Sequence, residues 1–298
     1  MTDSITNCGN IAIVGRPNVG KSTLLNRIVG QKISITSRKP QTTWYQILGV
    51  RTTNGSQMIF VDTPGWQHRP QRQINRVMNR QINAALSGVD IVVMVADARG
   101  FHKDDASVIG LFKSLECPKF LVLNKHDQVA DKQKMLPIID KFLGELKFDE
   151  VIPTNSLVGD NVEVLLNLIH SELPPGPHQF PDDQVTPHSE RFLVAELLRE
   201  KLIRGLGEEL PYTVSVVIEK FVEVGSHTDI DAQIWVEREG QKGIVIGAKG
   251  GRLKAIATAA RKDIEILLGR RVYLQTWVKI KGKWTDDINA LRELNISD

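Results

Sequence analysis

Gly15, Gly20, Lys21 and Ser22 fall in the spacing G-x-x-x-x-G-K-S, between an apolar run and an amphipathic one. A strand–loop–helix of this kind lets the backbone through Arg16, Pro17, Asn18 and Val19 curl around phosphate oxygens, with the positive end of the following helix adding to the field. Lys21 is then predicted against the β- and γ-phosphates and Ser22 on a magnesium ion, with Thr23 completing the loop's nucleotide contacts. Asp62-Thr63-Pro64-Gly65 closes a second apolar run. Asp62 is predicted to hold the magnesium through water, and the Gly65 N–H to approach the γ-phosphate. Asn124-Lys125-His126-Asp127 follows a third such run. A carboxylate at Asp127 can accept both the N1–H and the exocyclic amine of guanine, which adenine does not offer in that arrangement. Asn124 would tie the base loop to the phosphate loop, and His126 is given no role. Asn155, Ser156 and Leu157 are placed to offer a backbone N–H to the guanine oxygen. Thr43, with Thr42 as the alternative, could close onto the metal. Together these residues imply GTP and GDP as ligands, Mg2+ as cofactor, and hydrolysis resting on Lys21, Thr43, Gly65 and Asn18.

Such loops need a frame. Apolar runs at 10–14, 58–62, 90–96, 119–123 and 151–154 alternate with amphipathic stretches near 22–29, 73–87, 104–115, 132–146 and 161–172. Alternation of this kind predicts an α/β domain over 1–172, with a mostly parallel sheet covered by helices on both faces. Residues 47–51 and 57–61 flank a Gly-containing turn and are expected to add an antiparallel hairpin at the edge. From 173 to 187 five prolines interrupt any periodicity, the mark of an extended, fairly stiff interdomain linker. The rhythm then changes over 188–298. A helix capped by Ser189 runs to about Leu206 with Phe192, Ala195, Leu198, Leu202 and Ile203 on one face. Strands are expected at 212–224 and 230–239, then a very short helix, a glycine turn, a helix at 252–268 and a strand at 271–281. That is a compact α+β domain.

Net charge over the whole chain is only +3. Between Lys242 and Lys283, however, eleven basic residues face only Asp263 and Glu265, a local net of +9. Such an excess suits a polyanion. Gly247-Ala248-Lys249-Gly250 sits inside it. Its two glycines allow close approach to a nucleic-acid backbone, and Lys249, Arg252 and Lys254 supply charge. Cys8 and Cys117 lack motif spacing, which argues against a disulfide scaffold and fits a reducing cytosol. Neither a signal peptide nor a membrane span is expected.

In the motifs above, and in Lys32-Ile-Ser-Ile-Thr-Ser-Arg-Lys-Pro-Gln-Thr-Thr43 and Val245-Ile-Gly-Ala-Lys-Gly250, the sequence resembles the TRAFAC class of GTPases and, within it, the Era family. The resemblance covers almost the whole chain. It implies a P-loop GTPase domain followed by a type II KH domain that binds the single-stranded 3′ tail of 16S ribosomal RNA. It also implies a role in maturation of the small ribosomal subunit, and a monomeric cytoplasmic protein that can associate peripherally with the inner membrane. Trp44 stands where the family usually carries arginine. Trp66 stands where Ras-like switches carry the water-positioning glutamine, which implies slow intrinsic hydrolysis. Asn18 resembles an asparagine that in related GTPases helps bind K+ beside the phosphates. Two rival readings are a binding module whose hydrolysis is incidental and a tRNA-modification GTPase. The second is weakened by the KH-like tail, and the single phosphate loop excludes a tandem GTPase.

Overall fold

The computed structural model describes residues 6–37, 39, 42–53, 55–68, 70–206 and 213–296; Pro40, Gln41 and Tyr212 lie outside them. The chain divides into two compact units. One comprises Met1–Ser34, Thr43–Pro70 and Met78–Pro187, and the other Ile35–Thr42, Gln71–Val77 and His188–Asp298.

In the first unit, strands β1 (Asn7–Val14), β2 (Ile47–Thr53), β3 (Ser56–Asp62), β4 (Ile91–Asp97), β5 (Lys119–Asn124) and β6 (Glu150–Thr154) form a sheet in the order β2-β3-β1-β4-β5-β6. All neighbours run parallel except the β2–β3 hairpin at the edge. Strands β3, β4 and β5 are buried along their whole length, because both faces of a parallel sheet must be covered. The crossover helices are α1 (Lys21–Val29), α2 (Gln73–Leu86), α3 (Lys103–Phe112), α4 (Leu136–Glu145) and α5 (Val162–Glu172). The phosphate loop, the turn at Asp62 and the two base loops each leave the carboxyl end of a strand, where ligands of open α/β sheets bind. The segment of Thr43 leads from α1 into β2.

The Pro-rich stretch 173–187 is bound along the first unit, where its sequence suggests a spacer. The Cys8 N–H donates to Pro174 O, Gly176 N–H to Thr6 O, and Val50 N–H to Val185 O at 2.8 Å, so edge strand β2 is paired. The buried amide of Gln57 accepts from the N–H groups of Gln179 and Phe180 at 2.7 and 2.9 Å and donates to Phe180 O at 2.8 Å.

The second unit runs α6 (Glu190–Gly205), β7 (Ser215–Val224), β8 (His227–Val236), α7 (Glu239–Ile246), α8 (Gly251–Leu268), β9 (Arg271–Ile280) and α9 (Ile288–Glu293). Its sheet has the order β7-β8-β9, with the first pair antiparallel and the second parallel. Ser189 caps α6 by accepting from Phe192 N–H, and the helix buries Val194, Leu197, Leu198 and Leu202 against α8 and the sheet. It also buries Glu196, Arg199 and Glu200. Arg199 is held by Glu196 at 2.6 Å and donates to Thr42 O at 2.6 Å, which accounts for 35–42 belonging to this unit. The second strand begins three residues earlier than its apolar pattern suggests, because the turn falls at Gly225 with positive φ and Glu239 starts α7. The sequence reading omitted α9, a short helix capped by Asp287.

Candidate functional site

The loop between β1 and α1 closes on itself. Lys21 is buried, and its Nζ donates to Gly15 O and Arg16 O, both at 3.0 Å. Burial pushes its pKa down to about 8. Phosphate oxygens would restore the charge and replace those carbonyls as partners. A side chain at Gly15 would meet Val95 O at 2.2 Å, and one at Gly20 would meet Asn124 Nδ2 at 2.1 Å. Both glycines therefore serve close backbone approach as well as positive φ. Arg16 Nε donates to the buried carboxylate of Asp105 at 2.7 Å, which fastens the loop to the first turn of α3.

At the end of β3, Asp62 is fully buried. Its Oδ2 accepts from Ser22 Oγ at 2.6 Å and from Ser34 Oγ at 3.0 Å, while Oδ1 has no hydrogen-bond partner among the described residues. Burial raises its pKa, against the pull of Lys21 and the two hydroxyls. Thr43 Oγ1 lies 3.0 Å from Ser22 Oγ, whereas Thr42 Oγ1 donates to Lys39 O. Two hydroxyls and a carboxylate with one bare oxygen make a hard, all-oxygen donor set. It fits a magnesium ion that keeps several waters and takes its other ligands from phosphates. The Thr63 hydroxyl donates to Ile13 O. Pro64 carries the chain to Gly65, which packs so closely on the phosphate loop that a Cβ would stand 2.6 Å from Pro17. Trp66 packs against the apolar cluster of Ile82, Leu86 and Met94.

The base loop is held from several sides. Asn124 donates to Val19 O at 2.8 Å and accepts from both the N–H and the hydroxyl of Ser156 at 2.9 Å, so one buried amide joins three loops. Lys125, at positive φ, reaches Asn18 O at 2.6 Å and Asp97 Oδ2 at 3.0 Å. Burial works against the Asp97 carboxylate, but bonds from Arg99 and Lys125 outweigh it and hold the pKa at about 2. Asp127 is exposed at the head of the loop, open to a base. Asn155 accepts from Leu157 N–H at 3.0 Å, and Leu157 O is gripped by Arg27. His126, given no role above, bonds Asp160 at 2.7 Å and so links the base loop to the segment after β6. The sequence offered no signal for that pair, nor for Ser34 or Asp105, because each depends on residues far apart in the chain.

In the second unit Gly247, Lys249 and Gly250 all have positive φ. Gly247 also abuts α8, where a Cβ would meet that of Arg252 at 2.6 Å. Arg252 Nη1 donates back to Ile244 O across the turn, and Ala248, Lys249 and Lys254 are exposed. Beside the loop Ile244 is 44% exposed, while Val245 and Ile256 are core. Of the eleven basic residues, Arg261, Arg270 and Lys281 are engaged by Glu265, by Glu190 and Glu223, and by Glu293 respectively. The local excess is thus smaller than the sequence count, and Lys249, Arg252 and Lys254 at the glycine loop are among the residues that remain exposed.

A phosphate loop with a magnesium-type donor set, a guanine-type loop and a glycine turn between two helices define a P-loop GTPase joined to a KH domain. A family model described as 50S ribosome-binding GTPase matches residues 10–125, and one described as KH domain matches 209–285. The chain belongs to the GTPase Era family. It is 48% identical over 295 residues to GTPase Era of Yersinia pestis and of Yersinia pseudotuberculosis, covering 98% of this chain and 97% of each relative. An Era of Aquifex aeolicus bound to GDP·AlF4− matches with a TM-score of 0.95 at 36% identity, over 98% of this chain and 100% of that one. A structure of Era with MgGDPNP and nucleotides 1506–1542 of 16S ribosomal RNA matches with a TM-score of 0.94 at the same identity and coverage.

Proposed function

We propose that this GTPase uses the state of its nucleotide to control a grip on the single-stranded 3′ tail of 16S ribosomal RNA, and so assists maturation of the small ribosomal subunit. The observation that carries the reading is the joint retention of both sites in one chain, alike along 98% of its length to the Era that holds MgGDPNP and that RNA. GTP binds over the loop Gly15–Thr23, with Lys21 against the β- and γ-phosphates and Asp127 on guanine. Mg2+ is held by Ser22, Thr43 and, through water, Asp62. The ion supplies positive charge where negative charge develops in phosphoryl transfer. The chain's own residues orient the phosphates through Lys21 and the Gly65 N–H. Trp66 cannot orient water, which makes hydrolysis slow. RNA is received by Gly247–Gly250 with Arg252 and Lys254, its bases beside Ile244.

Labelled 3′-tail RNA is expected to bind the GTP-analogue form at least ten-fold more tightly than the GDP form. Equal affinity in both states would sink the switch, and equal affinity for a scrambled RNA would sink the ribosomal target. Peripheral association with an anionic membrane is a second use of the same basic segment, and no helix among the described residues is long and apolar enough to cross one. Anionic vesicles added as competitor displace the RNA if the two surfaces coincide. A K+ ion beside Asn18 would take the place of an arginine finger. Single-turnover hydrolysis is then expected to be several-fold faster in KCl than in NaCl, and Asn18→Ala to abolish the difference. Equal rates in both salts would end that reading.

A further inference from the structure

Asp62 presents an asymmetric carboxylate. Both of its donors, Ser22 and Ser34, sit on Oδ2, and Oδ1 is left bare although the side chain is fully buried. A buried carboxylate oxygen without a partner is costly, so the arrangement points to another group that completes it. Ser22 belongs to the phosphate loop and is itself a candidate metal ligand. Ser34 is different. It lies beyond α1, is 1% exposed, and was given no role by the sequence.

What fixes Ser34 is Asn26 on α1. The Asn26 Oδ1 accepts from the N–H groups of Ile33 and Ser34 at 3.0 and 2.9 Å, and its Nδ2 donates to Ser34 O at 2.7 Å. Two of these hydrogen bonds pin the backbone of Ser34, and one that of Ile33, to the helix that begins with Lys21 and Ser22. Among the described residues the serine hydroxyl donates to Oδ2 of Asp62.

We infer that Ser34, clamped by Asn26, is a positioning residue that holds the Asp62 carboxylate in the rotamer that turns Oδ1 toward the magnesium hydration shell. This rests on the magnesium reading above. A carboxylate with one donor can rotate to share its oxygens between Ser22 and the metal's waters; with two donors on the same oxygen it cannot. Pre-setting the carboxylate removes an ordering cost from metal binding and none from binding of the nucleotide's base or phosphates.

The test uses the full-length protein loaded with fluorescent GDP, with its dissociation rate followed as free Mg2+ is raised from EDTA conditions to millimolar. Ser34→Ala is expected to shift the half-point of the Mg2+ effect upward by roughly five- to twenty-fold, with the rate in EDTA unchanged. Ser34→Cys, which fills the same space with a weaker donor, moves the half-point in the same direction and serves if the alanine variant fails to fold. An unchanged half-point in a folded variant would overturn the inference. So would an equal acceleration with and without Mg2+, which marks a merely structural role. If the wild-type protein itself releases GDP at a rate indifferent to Mg2+, the magnesium reading has failed, and that outcome is distinct from failure of the role given to Ser34.

Discussion

Replacing Asp127 with asparagine is expected to lower GTP affinity by about three orders of magnitude, near 4 kcal/mol, while creating affinity for xanthosine triphosphate. The argument is one of donors and acceptors. Guanine offers a donor at N1 and another at the exocyclic amine, and an ionised carboxylate accepts both. Asparagine keeps one acceptor and presents an NH2 group to the guanine amine, so two donors face each other where a bound base leaves neither another partner. Xanthine carries a carbonyl at that position, and asparagine satisfies it. The loop should survive the change. Its shape is set by Asn124, bonded to Val19 O and Ser156, and by Lys125 on Asn18 O, none of which involves the Asp127 side chain. Equilibrium binding of fluorescent GDP and XDP measures the switch. Retention of full GTP affinity would show that the base is read elsewhere.

Placing aspartate at both Ala248 and Lys249 is expected to weaken RNA binding at least 100-fold and to leave GTP binding and intrinsic hydrolysis as they are. Both positions are exposed on a turn whose glycines bring the backbone to the surface. Two carboxylates there meet the phosphates that the turn is built to approach, and a positive contact is lost as well. Lys249 has φ of +49°, and aspartate is among the residues that tolerate the left-handed region, so the turn need not unfold. Fluorescence anisotropy at two salt concentrations reads the result. Loss of a favourable phosphate contact also flattens the salt dependence, which separates an electrostatic effect from damage to the fold. Undiminished binding would move the RNA site away from Gly247–Gly250.

The parts of the molecule that were legible in the sequence are those in which neighbours along the chain act together. The phosphate loop, the turn after β3 and the glycine loop each carry their geometry in a few consecutive residues, and the β2–β3 hairpin carries its turn between its strands. The structure adds what joins them. The sequence placed Asn124 between two loops, but not its second partner, Ser156, thirty-two residues later. Ser34 and Asp160 are polar residues in segments with no periodicity, and Asp105 is one of two acids in the first turn of α3. Their importance arises from what they face, which only the fold decides. The same holds for α6, whose charged residues Glu196, Arg199 and Glu200 were given no place in the sequence reading and are buried. The apolar pattern of β8 misled by three residues because its first positions, His227 and Asp229, are polar and point away from the core.

The segment 173–187 bears on where this chain can be divided. A GTPase fragment ending at 172 follows the last helix and looks complete by composition. It would strip the Val50 N–H of its acceptor, bare the outer edge of β2, and leave the buried amide of Gln57 without the backbone of Gln179 and Phe180. An unpaired edge strand is a template for another copy, so such a fragment would be prone to self-association. The serviceable cut lies after Pro187, and the Pro-rich stretch is then best regarded as the selvedge of the first unit's sheet.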